Sequence, residues 1–363
     1  MKKQSTNHIF MIEPEVFYSN EQTIDSNHYQ LKNDSNEDIA IIKENALREF
    51  HNLKKEIEKN NILVKSMKGI HECPDHIFPN WFITFDDKTF QLFSMNAENR
   101  RLEKTTEMIN YLSQEYTLTS DLSEYEEKGE FLEATSSMVF DRVNRVVYAA
   151  VSPRTNKDLT IKWCKENDYE LVLFDTNSHK GSSIYHTDVL MYVGQKVIGI
   201  CYEVILPKYR DMVRDKVSRY HDIFEINESQ IKDFCGNSLE AHNDSNEFFL
   251  IMSSRAFNAL SDAQKNQLSK YYKSIIHTDL TTIEKYGEWN VGLVEQSTMG
   301  NITNYDDVEN MKILKYIGRP TASHQLTQGI WRNWSLSGRE CEFLRDAIVD
   351  DKIILRVEGP KEL

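Results

Sequence analysis

Two short apolar strands, an amphipathic helix and a further strand recur along this chain at intervals of about 50–60 residues. No other feature restricts its fold as much, because a unit of that kind cannot bury its apolar faces alone and needs neighbours of the same build. In the first round, residues 9–17 read as a strand that leaves through the polar Asn20-Glu21-Gln22-Thr23. Ile41, Ile42, Ala46, Leu47, Phe50, Leu53 and Ile57 then fall at helical spacing within 37–59, ahead of a strand over 62–64. The second round runs through the aromatic, twice proline-broken 73–85, a turn at Asp86-Asp87-Lys88, a strand at 89–93 and a helix over 99–115. A hairpin of 130–141 with 145–151, a helix over 156–167 and a strand at 171–174 make the third. The fourth pairs a strand over 184–191 with 197–202 and adds a helix over 208–220. Gly236-Asn237 opens another round, with a strand at 248–253, a helix over 260–272 and a last strand near 289–295. Beyond about Ser297 the pattern stops. Residues 1–298 are therefore predicted as one α/β domain, and 299–363 as a C-terminal extension packed on it, with an aromatic loop at Trp331–Trp334 and a helix over 340–349.

The formal net charge of −14 and the lack of a basic stripe argue against nucleic acid as partner, since phosphate contacts need clustered Lys and Arg. No segment is apolar for long enough to span a bilayer or to serve as a secretion signal, so the chain is expected in the cytoplasm and off the membrane. The five cysteines, Cys73, Cys164, Cys201, Cys235 and Cys341, include no C-x-x-C pair and read as free thiols. Neither the cysteines nor the histidines show metal-ligand spacing, and no phosphate-cradling glycine loop is present, so no metal and no cofactor are predicted. The acidic Asn243-Asp244-Ser245-Asn246-Glu247 lacks the glycine and spacing of a calcium loop and reads as a hairpin turn.

The chemistry-bearing stretch is Ile184-Tyr185-His186-Thr187-Asp188. Read as a strand, it puts His186 and Asp188 on one face, where an imidazole can move a proton beside a carboxylate that holds a charged group.

Several motifs fall in a familiar order. They are Asn20-Glu21-Gln22-Thr23, Pro74-Asp75 with Phe78-Pro79-Asn80-Trp81-Phe82, Asn99-Arg100-Arg101-Leu102-Glu103, Leu132-Glu133 with Ser137-Met138-Val139, and Asp141-Arg142-Val143-Asn144-Arg145. Ser152-Pro153-Arg154-Thr155, Ile184-Tyr185-His186-Thr187 and Gly236-Asn237 follow. Over residues 8–295 the chain resembles the amidinotransferase and arginine-deiminase-related proteins, in particular their citrulline-hydrolase-like branch. That resemblance implies a pentein fold, a propeller of five ββαβ blades around a polar channel, and a site that modifies guanidino or ureido groups. In active relatives a cysteine thiolate attacks the guanidino or ureido carbon, a histidine handles the protons, and carboxylates clamp the N–H groups. Carried over, His186 matches the proton-transfer histidine and Glu133 the acid that supports it. Asp188 matches the guanidino-binding carboxylate, and Asn80 lies in the first substrate-contacting motif.

The chain departs from the family pattern at three places. Asn80 stands where two asparagines are usual, and Ala134 follows Glu133 where glycine is usual. Leu293 falls at the position of the nucleophilic cysteine and Gly292 at that of an arginine. The resemblance thus implies a degenerate site that binds a guanidino or ureido compound, such as arginine, citrulline or agmatine, or the arginine side chain of a protein partner. The alternative is an active C–N hydrolase or amidinotransferase with a relocated thiol, either Cys341 in Ser337-Gly338-Arg339-Glu340-Cys341 or Cys73 at the rim before the first motif. Assembly into homo-oligomers stays open.

Overall fold

In a computed structural model, the structure describes residues 3–27, 29–33, 37–178 and 181–287, together with the backbone of strands at 295–297, 313–316, 334–336, 339–349 and 352–358. The chain divides into two compact units, Met1–Met299 and Gly300–Leu363.

Among the described residues, the first unit holds five three-stranded sheets of one design, in which the middle strand pairs antiparallel with one neighbour and parallel with the other. Strand β1 (His8–Glu13), helix α1 (Ile39–Glu58) and β2 (Leu63–Lys68) begin the first sheet. The second contains β3 (Phe82–Thr84), β4 (Thr89–Leu92), helices α2 (Glu98–Arg101) and α3 (Thr106–Leu112), and β5 (Thr117–Asp121). A short helix α4 (Ala134–Ser137) leads into β6 (Met138–Asp141), β7 (Val146–Ala150), α5 (Lys157–Glu166) and β8 (Glu170–Phe174). Next come β9 (Met191–Val193), β10 (Val197–Ile200), α6 (Pro207–Val217), β11 (Asp222–Glu225) and α7 (Glu228–Lys232). The fifth sheet has β12 (Leu239–His242), β13 (Phe248–Ser253), α8 (Ser254–Ala259), α9 (Asp262–Leu268) and β14 (Ser274–Thr278), and α10 (Thr281–Tyr286) follows. Finally β15 (Glu295–Ser297) pairs antiparallel with β1, so the far end of the unit completes the sheet that its beginning opened. Such closure joins the ends of a repeat array that would otherwise leave an unpaired edge.

Helix α1 shows how local sequence and packing agree. Asp38 accepts the Ala40 N–H at 2.8 Å as N-cap, and Ile42, Ala46, Phe50, Leu53 and Ile57 bury one stripe. Each large member of that stripe contributes about 1.5–3 kcal/mol. Ile41, expected on the stripe, is instead exposed, because its neighbour Ile42 takes the inward position.

Four expectations are corrected. The helix over 99–115 is two helices, because Thr105 accepts the Met108 N–H and starts α3 afresh. The helix over 260–272 is likewise two: Ser253 caps α8, and Ser261 caps α9 in a capping box with Gln264. Of the strand over 130–141 only β6 is extended, with α4 ahead of it. In the second unit, β16 (Ile313–Tyr316), β17 (Trp334–Leu336), β18 (Arg339–Val349) and β19 (Lys352–Glu358) form an antiparallel sheet in the order β16-β19-β18-β17. The predicted helix over 340–349 is therefore a strand. Val349 pairs with Lys352, and antiparallel pairing of β18 with β19 outweighs an apolar spacing that also fits a helix. The acidic 243–247 stretch is the loop joining β12 to β13, where Asn243 accepts the N–H groups of Ser245 and Glu247.

Among the described residues no helix is long and apolar enough to cross a membrane, and no group of three or more His, Cys, Asp or Glu is poised to hold a metal ion.

Candidate functional site

Glu133 stands at the start of α4, where the backbone doubles back before β6. Its own N–H meets Ser137 Oγ at 3.0 Å, and that hydroxyl donates to the Arg154 carbonyl at 2.8 Å. The turn requires Ala134 to adopt a φ of +39°, in the left-handed region. Glycine, usual here in the family, would adopt that conformation freely; in this chain the alanine bears the strain. Ala134→Gly is therefore expected to raise stability by about 0.5–1 kcal/mol, read as a shift in urea midpoint at constant slope. An unchanged or lower midpoint would show that the turn costs alanine nothing.

His186 does not lie on a strand, as the alternating reading required. It is extended, and Thr187–Val189 that follows is a 3-10 turn. Thr187 Oγ1 donates to the Ser137 carbonyl at 2.6 Å and accepts the Ala150 N–H at 2.8 Å, which ties the turn to β6 and β7. The imidazole thereby meets Glu133, with Nε2 at 2.7 Å from Oε2. Both side chains are buried.

The charge state of this pair follows from its surroundings. Burial alone would raise the Glu133 carboxyl, but the Arg154 guanidinium, the His186 hydrogen bond and Arg100 override it and hold it well below the usual carboxylate range. Arg154 Nη1 lies 3.5 Å from Oε2, and the Asn96 N–H donates to Oε1 at 3.0 Å. Burial pushes His186 down to about 4 against the pull of Glu133, and Arg154 and Arg100 add to the drop. The pair is thus an ionised carboxylate with a neutral imidazole. An ionised carboxylate only accepts, so Nε2 carries the proton and Nδ1 keeps its lone pair. That ring can take up a proton at Nδ1 while Glu133 steadies the resulting charge.

Around the pair lies a shell of buried charge that reading the motifs one by one did not single out. Arg154 donates from Nε and Nη2 to Ser26 Oγ at 3.0 and 2.8 Å, and its guanidinium covers the Tyr185 ring at 4.8 Å. Arg100 grips Glu103 through Nε and Nη2 at 2.7 and 3.2 Å and also donates to the Phe78 carbonyl. Asp75 Oδ2 accepts from Asn20 at 2.8 Å and Thr23 at 3.1 Å, whereas its buried Oδ1 has no hydrogen-bond partner among the described residues. Burial raises that carboxyl, with Arg100 and Arg154 opposing. For Arg100 and Glu103 the i,i+3 spacing was the available signal; Arg154 and Asp75 pair with segments too distant for any local signal.

Asp188 sits in the 3-10 turn, partly exposed. Burial pushes its carboxyl up to about 7, against hydrogen bonds from Ser136 and Asn237 and with the Glu133 charge adding to the rise. The Ser136 hydroxyl also lies 2.8 Å from Asn80 Oδ1, so its one proton is shared between that oxygen and Asp188. Asn80 lies in the turn before β3. Asn237 Nδ2 donates to the Asp188 carbonyl at 3.3 Å, and Gly236 packs against the Val189 carbonyl so closely that an added Cβ would stand 2.2 Å from it. Glu133, His186, Asp188 and Asn80 therefore gather around the α4 turn, though drawn from three different rounds of the repeat.

Cys73, expected at the rim, is buried and donates to the Asn99 carbonyl at 2.8 Å. Burial and then the Glu103 charge push its thiol up to about 12, so it is held neutral and not as the attacking thiolate. Cys164, Cys201 and Cys235 are free and buried. Gly292, Leu293 and the side chain of Cys341 lie outside the described residues.

A family profile described as N,N dimethylarginine dimethylhydrolase, eukaryotic, matches residues 13–289. No curated protein matches the chain in sequence. Among solved structures, the substrate-bound N-terminal domain of ArgZ, an arginine dihydrolase from the ornithine-ammonia cycle in cyanobacteria, is 17% identical with a TM-score of 0.61, covering 79% of this chain and 96% of that one. Unliganded AgrE is 17% identical with a TM-score of 0.64 over 80% of this chain and 39% of its own. A dimethylarginine dimethylaminohydrolase adduct with 4-chloro-2-hydroxymethylpyridine is 14% identical with a TM-score of 0.55, covering 81% of this chain and all of that one. At such identities the likeness to these structures is one of fold.

Proposed function

The chain belongs to the N,N dimethylarginine dimethylhydrolase family and carries the pentein fold, and from that premise we propose that its Glu133–His186 centre binds a small guanidino or ureido compound without covalent catalysis. The observation that carries this reading is the meeting of an ionised carboxylate, a neutral imidazole and a second, titrating carboxyl around one turn. In this reading Asp188 accepts the N–H groups of the ligand, Asn80 and Ser136 orient it, and His186 lends the Nδ1 lone pair. Leu293, which the resemblance puts at the nucleophile's position, has no atom that can attack carbon. Loss of the attacking group from covalent catalysis costs on the order of a millionfold. The neutral, carbonyl-bonded Cys73 supports the same reading.

Calorimetric titration of the full chain with arginine, citrulline, agmatine and N-methylated arginines, beside a ureido and ammonia assay on the same samples, tests it. Saturable binding and ligand-dependent thermal stabilisation without product are expected. Product formation abolished by Cys341→Ser would establish the relocated-thiol enzyme instead, and neither binding nor turnover would end both readings.

The Asp188 carboxyl makes the affinity depend on pH. With a value of about 7 it is mostly protonated at pH 6 and mostly ionised at pH 8. Affinity for a guanidinium ligand is expected to rise about tenfold between those limits, and Asp188→Asn to flatten the profile. Citrulline, which is uncharged at the ureido group, should show no such rise; an equal rise for both ligands would remove Asp188 from the role.

A further inference from the structure

A cavity of about 340 Å³ opens away from that centre, where the segment after β10 meets α6, the end of β11 and the start of α7. Tyr202 and Glu203 line it from one side, Arg210 and Arg214 from α6, and Glu225 and Asn227 from the far wall. Its charges are unevenly satisfied. Arg214 is engaged, with Nη2 at 2.7 Å from Glu225 Oε1 and its guanidinium 4.1 Å over the Tyr202 ring. Arg210 donates Nε to the Ile205 carbonyl at 2.7 Å and Nη2 to the Glu203 carbonyl at 2.8 Å, but meets no carboxylate within 4.0 Å among the described residues. The Glu203 carboxylate accepts the Glu228 N–H at 2.6 Å and meets no cation among the described residues. The Tyr202 hydroxyl is buried and has no hydrogen-bond partner among them.

One cavity is thus lined by a full positive and a full negative charge that do not pair, although the guanidinium is fastened to the other residue's own carbonyl. Those carbonyl bonds fix the guanidinium without neutralising it. A simple anion bound here would leave Glu203 uncompensated, and a simple cation would leave Arg210 so. A ligand bearing both charges satisfies both, and the volume lies at the lower end of the roughly 300–1,000 Å³ of small-molecule sites. We propose that this cavity binds a free α-amino acid, its carboxylate on Arg210 and its ammonium on Glu203. The proposal is independent of the function assigned to the Glu133–His186 centre.

The test is calorimetric titration of the full chain with neutral L-amino acids, each beside the acid lacking its ammonium and the amine lacking its carboxylate (for leucine, isocaproate and isoamylamine). At least one amino acid is expected to bind with a dissociation constant of about 1 mM or tighter, and its two analogues about tenfold more weakly or worse. Glu203→Gln, at an exposed side chain, should weaken that binding about tenfold. His186→Ala should leave it unchanged. No binding across the series, equal binding of the acid analogue, or loss in His186→Ala with retention in Glu203→Gln would each overturn the proposal.

Discussion

Glu133→Gln is expected to destabilise the chain by about 3–5 kcal/mol at pH 7, measured by urea unfolding, because removing one partner of a buried charge network strands the others. The carboxylate faces the Arg154 guanidinium at 3.5 Å, accepts from His186 at 2.7 Å, and is drawn down further by Arg100. An amide keeps the shape and loses the charge, so packing is not the variable. Adding Arg154→Met should recover part of the loss, since the stranded guanidinium is removed with its partner. The sign of the pH dependence follows from the depressed carboxyl. Its contribution is complete above the unfolded value of roughly 4.3 and is lost as pH falls through the lower folded value, so wild type and variant should converge only in acid. His186, held at about 4 against roughly 6.5 when unfolded, also costs stability as pH falls through that interval, since the unfolded chain takes the proton first. Asp188, raised to about 7, works in the opposite direction between its unfolded value of roughly 3.9 and that point. A loss below about 1 kcal/mol in Glu133→Gln would mean that water, and not Arg154, neutralises the carboxylate.

Gly236→Ala should reach the site without touching a chemical group. A Cβ there would stand 2.2 Å from the Val189 carbonyl oxygen and 3.0 Å from the Leu190 carbonyl carbon. Both are backbone atoms, so the clash cannot be relieved by a rotamer change, and the turn carrying Asp188 must move. The expected cost is about 1–3 kcal/mol in stability, together with about tenfold or greater loss of affinity for a guanidino ligand. Gly129→Ala is the control: Gly129 has a φ of +69° and nothing within 4 Å of an added Cβ. It should carry a backbone cost of about 1 kcal/mol and no change in binding. Equal binding by the two variants would show that the position of Asp188 does not govern the ligand.

Much of the architecture was legible because each repeat carries its own signals. The runs of β6, β8 and β13 are apolar and rich in β-branched or aromatic side chains, and α1, α5 and α6 show helical spacing with caps or proline at their starts. Legibility failed where a local pattern admitted two answers. The β18 stretch fits a helix until β19 is set beside it, and the periodicity over 99–115 continues through the point where Thr105 restarts the helix. His186 to Asp188 alternates like a strand, yet the Thr187 hydroxyl is fastened to the Ser137 carbonyl and folds the segment into a turn.

At the site the division is sharper. His186 and Glu133 are 53 residues apart, Ser136 and Asn80 are 56 apart, and Arg154 reaches Ser26 across 128. The sequence by itself determined the recurring unit and which side chains have the chemistry to move protons or hold a guanidinium, because these are properties of neighbouring residues. Only the tertiary structure decided that His186 is neutral, that Glu133 is ionised and that Asp188 titrates near 7. Protonation depends on how little water and which charges surround a group, and here those surroundings are assembled from segments remote from one another in the chain.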